Sequence, residues 1–191
     1  MFALGLVMSF QEALTGKPEP DDIKHSIIRE YAQRFHLDIL VETGTYHGDT
    51  VAAMRGSFSD IYSIEFGSDL YRSVQERFAD CPDVHLLLGD SASVLRHLLP
   101  TLVTAPLFWL DAHFSGHDTA HGPIGSPIMQ ELDMIFSLRP SVILVDDARD
   151  FRGSASYTDG YPTLPELKRY VAEKVPSWVF EIRQDIIRIH A

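Results

Sequence analysis

The chain has 191 residues, 45% of them hydrophobic, and a net charge of −11 from 27 acidic against 16 basic side chains. No segment approaches the roughly 20 apolar residues of a membrane span. The acidic balance argues against a nucleic-acid partner, whose affinity rests on Lys and Arg neutralising phosphates. The single cysteine, Cys81, cannot close an internal disulfide, so nothing demands an oxidising compartment, and a cytoplasmic small-molecule role is expected.

Met1 to Met8 is apolar but lacks the basic region and cleavage site of a leader. It is expected to cover the site or to meet a partner, including a second copy of the chain in a homodimer. After the punctuation Lys17 to Asp22, Ile23, Ile27, Ile28 and Tyr31 predict a helix reaching about Phe35. Apolar runs with strand character follow at Asp38–Glu42, Ile61–Glu65, Val84–Leu88, Leu107–Leu110 and Val142–Val145. Helical segments fall between them, at about 49–57, 68–79, 91–99 and 126–138. Continuous apolar runs suit strands buried on both faces of a parallel sheet, and the strand–helix alternation predicts an α/β doubly wound fold. A helix near Leu164–Lys174 precedes two apolar runs, Trp178–Arg183 and Ile186–His190, separated only by Gln184-Asp185. Strands so close form a hairpin, which turns the last strand antiparallel to the rest. Residues 1–191 read as one domain, with an N-terminal segment and helix over 1–36 and the core over 37–191.

The segment Glu42-Thr43-Gly44-Thr45-Tyr46-His47-Gly48-Asp49-Thr50 carries the sharpest signal. A dinucleotide fingerprint reads G-x-G-x-x-G and places a pyrophosphate on a helix N-terminus. Here an acid stands at the strand end, where it would repel a pyrophosphate but suit an ammonium or sulfonium. Gly44 allows a tight turn or a close approach, and Gly48 allows the next helix to pack against the strand. The other strands also end in acids: Glu65, Gly89-Asp90-Ser91, Asp111 and Asp146-Asp147. Asp90 or Ser91 alone could be a helix N-cap. Five acidic ends on one sheet edge call for a cationic cofactor, a metal or both, because clustered carboxylates raise one another's pKa.

These motifs, spread over about residues 38–153, resemble those of class I S-adenosylmethionine-dependent methyltransferases. The nearest branch is that of the metal-dependent catechol and caffeoyl-CoA O-methyltransferases. The resemblance implies a Rossmann-like seven-stranded sheet, mostly parallel, with an antiparallel C-terminal strand. It also implies that Glu42, Thr43, Gly44, Thr45, Tyr46, Gly48 and Thr50 line the methionine end of the cofactor. Glu65 would bind the ribose hydroxyls, Gly89, Asp90 and Ser91 would lie beside the adenine, and Asp111 would complete the pocket.

In that branch a divalent metal is held by an acid after the fourth strand and an Asp-Asn pair after the fifth. Asp111, Asp146 and Asp147 match, with Asp147 where the branch usually has Asn. Three carboxylates would suit Mg²⁺, which would favour the oxyanion of an acceptor hydroxyl. A metal-free site with Asp147 as an N-cap is the other reading. His113, two residues past a strand end, is the candidate general base, with Asp111 beside it, since an imidazole pKa of about 6.5 suits proton removal at neutral pH. His113 could also be a metal ligand or a solvated loop residue. The Gly- and His-rich loop 114–125 is expected to recognise the acceptor. His113, His117 and His121 fall at i, i+4 and i+8, but the loop's glycines and Pro123 oppose a continuous zinc-binding helix. His47 should touch cofactor or solvent, and Arg149, Arg152, Tyr157 and Tyr161 could form an acceptor wall. The rival readings are a non-catalytic module that binds S-adenosylmethionine or a nucleotide, and an NAD-dependent oxidoreductase.

Overall fold

The computed structural model describes residues 9–14, 17–112, 126–137, 142–153 and 160–191. Along the chain run α1 (Phe10–Leu14), α2 (Asp21–Phe35), β1 (Ile39–Thr43), α3 (Asp49–Met54), β2 (Asp60–Glu65), α4 (Ser68–Arg77), β3 (Val84–Leu88) and α5 (Ser91–Leu98). They are followed by β4 (Leu107–Leu110), α6 (Ile128–Phe136), β5 (Val142–Val145), α7 (Leu164–Lys174), β6 (Val179–Arg183) and β7 (Ile186–His190). The strands form one seven-stranded sheet in the order β3-β2-β1-β4-β5-β7-β6. Strands β1 to β5 are parallel, and β7 runs antiparallel to both β5 and β6, as the short spacer requires.

Each face of the sheet has its own core, because side chains alternate along a strand. Leu40, Ile61, Leu107, Trp109, Val142, Leu144 and Ile186 face helices α2, α3 and α4, with Ile28, Met54 and Val74 among the side chains packed on them. Val41, Ile64, Phe108, Leu110, Ile143, Val145 and Ile189 face the other way, against Leu95 of α5, Leu132 of α6 and Leu167 of α7. Every residue of β1, β4, β5 and β7 is buried, which is why β4 and β5 read as unbroken apolar runs. Helix α1 packs Ala13, fully buried, near β6 and the 3-10 turn Ala148–Asp150.

The chain winds outward from β1 to β3 on one side and from β4 to β5 on the other. The order therefore reverses between β1 and β4, and a crevice opens there at the carboxyl ends of the strands. Acidic strand ends are thus gathered at one place. Helix α3 stops at Met54, short of the expected 49–57, because Gly56 adopts a positive φ of 79° and Arg55 bridges to Phe58.

Candidate active site

The turn after β1 is fixed by contact with the end of β4. Gly44 has φ 87°, and a Cβ there would lie 2.5 Å from the carbonyl oxygen of Asp111. Its close approach is therefore to the neighbouring strand's backbone. Gly48 (φ 78°) also differs from expectation, since a Cβ would meet Val74 of α4 at 3.0 Å and Phe78, which caps that helix, at 2.7 Å rather than the strand. Between them, Tyr46 takes a left-handed conformation (φ 50°), half-exposed, with its ring 3.9 Å from that of the exposed His47.

Glu42 lies at the floor of this turn, 2% exposed. Ser63 Oγ donates to its Oε2 at 2.5 Å, and Ser63 in turn lies 2.6 Å from Thr45 Oγ1. Burial pushes the Glu42 pKa up to about 8, with Ser63 and Thr50 favouring the charged form and Asp111 and Glu65 opposing it. At neutral pH Glu42 is therefore mostly protonated until a cation approaches. Glu65, at the end of β2, accepts the backbone N–H of Tyr46 at 2.9 Å and that of Gly67 at 2.7 Å, one on each oxygen. Each oxygen keeps a second lone pair.

After β3, Gly89 N–H donates to the Glu65 carbonyl at 2.9 Å, and Asp90 caps α5 by accepting Ser93 N–H at 2.9 Å. The N-cap role weighed for Asp90 is thus realised. Ser91 and Thr43 are buried and face a residue that sequence reading missed, Glu131 of α6. Burial raises the Glu131 pKa to about 7, against the favourable hydroxyls of Ser91 and Thr43. Among the described residues, neither Thr43 Oγ1 nor Glu131 Oε1 completes a hydrogen bond.

On the other side of the crevice, oxygens of Asp111, Asp146 and Asp147 lie within 4.8 Å of one another. Hard oxygen donors at that spacing are what Mg²⁺ takes. A second missed residue stands among them. Lys24 of α2 places Nζ 2.5 Å from Asp146 Oδ2 and 3.8 Å from Asp147 Oδ1. Burial would lower the Lys24 pKa, but the carboxylates, Asp146 first, raise it above the usual lysine value, so it stays charged. Burial and the neighbouring Asp111 and Asp147 would drive Asp146 toward its neutral form, and Lys24 opposes them. At an effective dielectric of about 20, a divalent ion about 4 Å from a retained ammonium meets roughly 8 kcal/mol of repulsion. Lys24 therefore competes with any metal for these carboxylates.

Asp147, at φ 55°, initiates the 3-10 turn without a side-chain cap, and its Oδ1 accepts Arg149 Nη1 at 2.7 Å. Arg149 also pairs with Asp185 in the β6–β7 turn, whose Oδ1 takes the Arg149 N–H at 2.9 Å. Arg149 therefore ties the hairpin to the loop after β5, and the acceptor-wall reading gives way to a structural one. Tyr161 is held well above its ordinary pKa by burial, and its ring packs edge-on against Phe151 at 4.7 Å. His113, His117, His121, Tyr157 and the loop 114–125 lie outside the described residues, as does Met1 to Met8.

The sheet, mostly parallel with an antiparallel final strand, matches the Rossmann-like methyltransferase fold. The likeness to solved structures is one of fold. The O-methyltransferase TomG from Streptomyces achromogenes, solved with S-adenosylmethionine, superposes on 96% of this chain and 90% of its own at 14% identity, with a TM-score of 0.64. An O-methyltransferase from Bacillus cereus in complex with S-adenosylhomocysteine matches 95% of this chain and 90% of its own at 11% identity, with a TM-score of 0.66. The 23S rRNA methyltransferase ErmE matches 92% of this chain and 69% of its own at 14% identity and a TM-score of 0.53. No protein-family model and no curated protein matches the sequence.

Proposed function

We propose that the protein transfers the methyl group of S-adenosylmethionine to a hydroxyl oxygen of a small-molecule acceptor. The observation that carries this reading is Glu42. It is a buried carboxyl at the topological switch point, held by hydroxyls rather than by a cation among the described residues and poised to ionise when one arrives. Bound in the crevice, S-adenosylmethionine supplies an electrophilic sulfonium methyl.

Glu42 and the turn containing Thr43, Gly44, Thr45, Tyr46, Gly48 and Thr50 would hold the donor's charged methionine end. Glu65 would accept two hydrogen bonds from the ribose diol, and Gly89, Asp90 and Ser91 would flank the adenine. Asp111 would orient the acceptor hydroxyl at the strand end, and His113 would take its proton as the oxygen attacks. The roles of His113 and of loop 114–125 rest on sequence alone. The small-molecule acceptor is favoured over nucleic acid by the net charge of −11, and the lone cysteine suits a cytoplasmic setting. Magnesium assistance is set aside in this reading, because Lys24 already stands among the carboxylates.

Isothermal titration with S-adenosylhomocysteine and with NAD tests the cofactor. Saturable binding of the nucleoside and none of NAD is expected, and the reverse would sink the proposal. Asp111→Ala should abolish methyl transfer while the donor product still binds. Undiminished transfer to every accepted substrate would remove Asp111 from the mechanism, whereas nucleoside binding with no methyl transfer by the wild type would make the chain a binding module.

A further inference from the structure

We infer that Lys24 is the resident cation of the acidic cluster formed by Asp111, Asp146 and Asp147, standing where a divalent metal would otherwise sit. The metal-free reaction this implies rests on the proposed methyl transfer, whereas the exclusion of metal stands on geometry alone.

The ammonium is embedded rather than draped over the surface. Side-chain exposure is 15% for Lys24, 1% for Asp146 and 8% for Asp147. Both oxygens of Asp146 are engaged, Oδ2 by Lys24 and Oδ1 by the Asp147 N–H at 2.8 Å. Oδ1 of Asp147, which faces Lys24, also accepts Arg149. Magnesium demands near-octahedral oxygen coordination at about 2.1 Å, so a metal drawing on Asp146 Oδ2 and Asp147 Oδ1 would have to displace the ammonium that faces both.

The position of Lys24 follows from its helix. Counting from Lys24, the buried residues Ile27, Ile28 and Tyr31 fall at i+3, i+4 and i+7, so the lysine lies on the stripe that docks onto the sheet. Packing α2 over β4 and β5 delivers the lysine to their carboxyl ends, where Asp111 and Asp146 begin the following loops. The stem is covered and the head is paired, as expected of an amphipathic side chain carried by apolar contacts. A helix-borne ammonium can supply fixed positive charge beside a developing oxyanion, the electrostatic task usually given to a metal at such a place.

The test uses Mn²⁺, followed by the electron paramagnetic resonance signal of the free ion, and the melting temperature in Mg²⁺. The wild-type protein should show no saturable Mn²⁺ binding at millimolar concentrations and no Mg²⁺-dependent shift. Lys24→Met should bind Mn²⁺ at least about tenfold more tightly, or about 1.4 kcal/mol. Lys24→Arg should exclude it like the wild type, and Lys24→Met with Asp146→Asn should lose the gained site. Saturable Mn²⁺ binding by the wild type overturns the inference whether or not any variant folds. So does Lys24→Met binding no better than wild type, once circular dichroism shows it folded. Methyl transfer should survive EDTA and dialysis, and loss with recovery on adding Mg²⁺ would also overturn the inference. Absence of S-adenosylhomocysteine binding would instead sink the functional reading and leave the manganese result as it stands.

Discussion

Glu42 makes the site sensitive to pH in a direction that can be worked out. Its pKa is 4.5 as an ordinary glutamate and about 8 in the fold, so the folded state holds a proton that the unfolded chain has lost. An acid with a raised pKa contributes its stability below the unfolded value, and that contribution fades as pH rises through the folded value. The unfolding free energy of the ligand-free protein should therefore fall between about pH 4.5 and 8. Glu131 acts with the same sign up to about 7. Glu42→Gln should flatten the decline and be more stable than wild type at the alkaline end, measured by urea denaturation across pH. Binding of S-adenosylmethionine should release a proton near neutrality, giving a buffer-dependent enthalpy that Glu42→Gln lacks. Two of the positive-φ glycines, Gly44 and Gly56, form an internal control. Gly56→Ala meets nothing within 4 Å and should cost about 1–2 kcal/mol of left-handed strain. Gly44→Ala adds a collision with Asp111, so it should cost more and weaken nucleoside binding at least about tenfold.

At the scale of elements, the capping box of α7 offers a clean stability prediction. Thr163 Oγ1 accepts Glu166 N–H, and Glu166 Oε2 accepts Thr163 N–H. Thr163→Ala should cost about 1 kcal/mol in denaturant melts without altering nucleoside affinity. Most elements were legible in the sequence because apolar runs and helical stripes are local patterns. Strand β1, expected at 38–42, forms at Ile39–Thr43, and β3, β4 and β5 fall where expected. The hairpin was readable because two residues can span only a turn. Two helix residues were missed for one reason. Lys24 belongs to the stripe of Ile27, Ile28 and Tyr31, and Glu131 to the stripe of Ile128, Leu132 and Ile135. A charge on an apolar stripe was the available signal, and reading only the apolar members of each pattern passed over it. Which carboxylate each charge meets depends on strand order, which no local pattern encodes. Arg149 was misjudged for the same reason, since its partner Asp185 is 36 residues away.

For the molecule as a whole, ligand binding should be visible as stability. A ligand that binds only the folded state adds about 2.7 kcal/mol at a concentration about 100 times its Kd. In a chain of this length that corresponds to a rise of about 5–11 °C in melting temperature, and NAD at the same concentration should give none. The fastening of the β6–β7 turn has a consequence for how the protein is made. Arg149 meets Asp185 only after the hairpin has formed, and the Asp185 carbonyl also accepts Ala148 N–H at 2.8 Å. A polypeptide leaves the ribosome with its N-terminus first. Strands β1 to β5 can therefore associate while the loop bearing Asp147 still lacks its clamp. The Asp147 side of the crevice reaches its final shape only when Asp185 has been translated, and in chains stalled before it the loop bearing Asp147 should be cut by protease faster than in the full sequence.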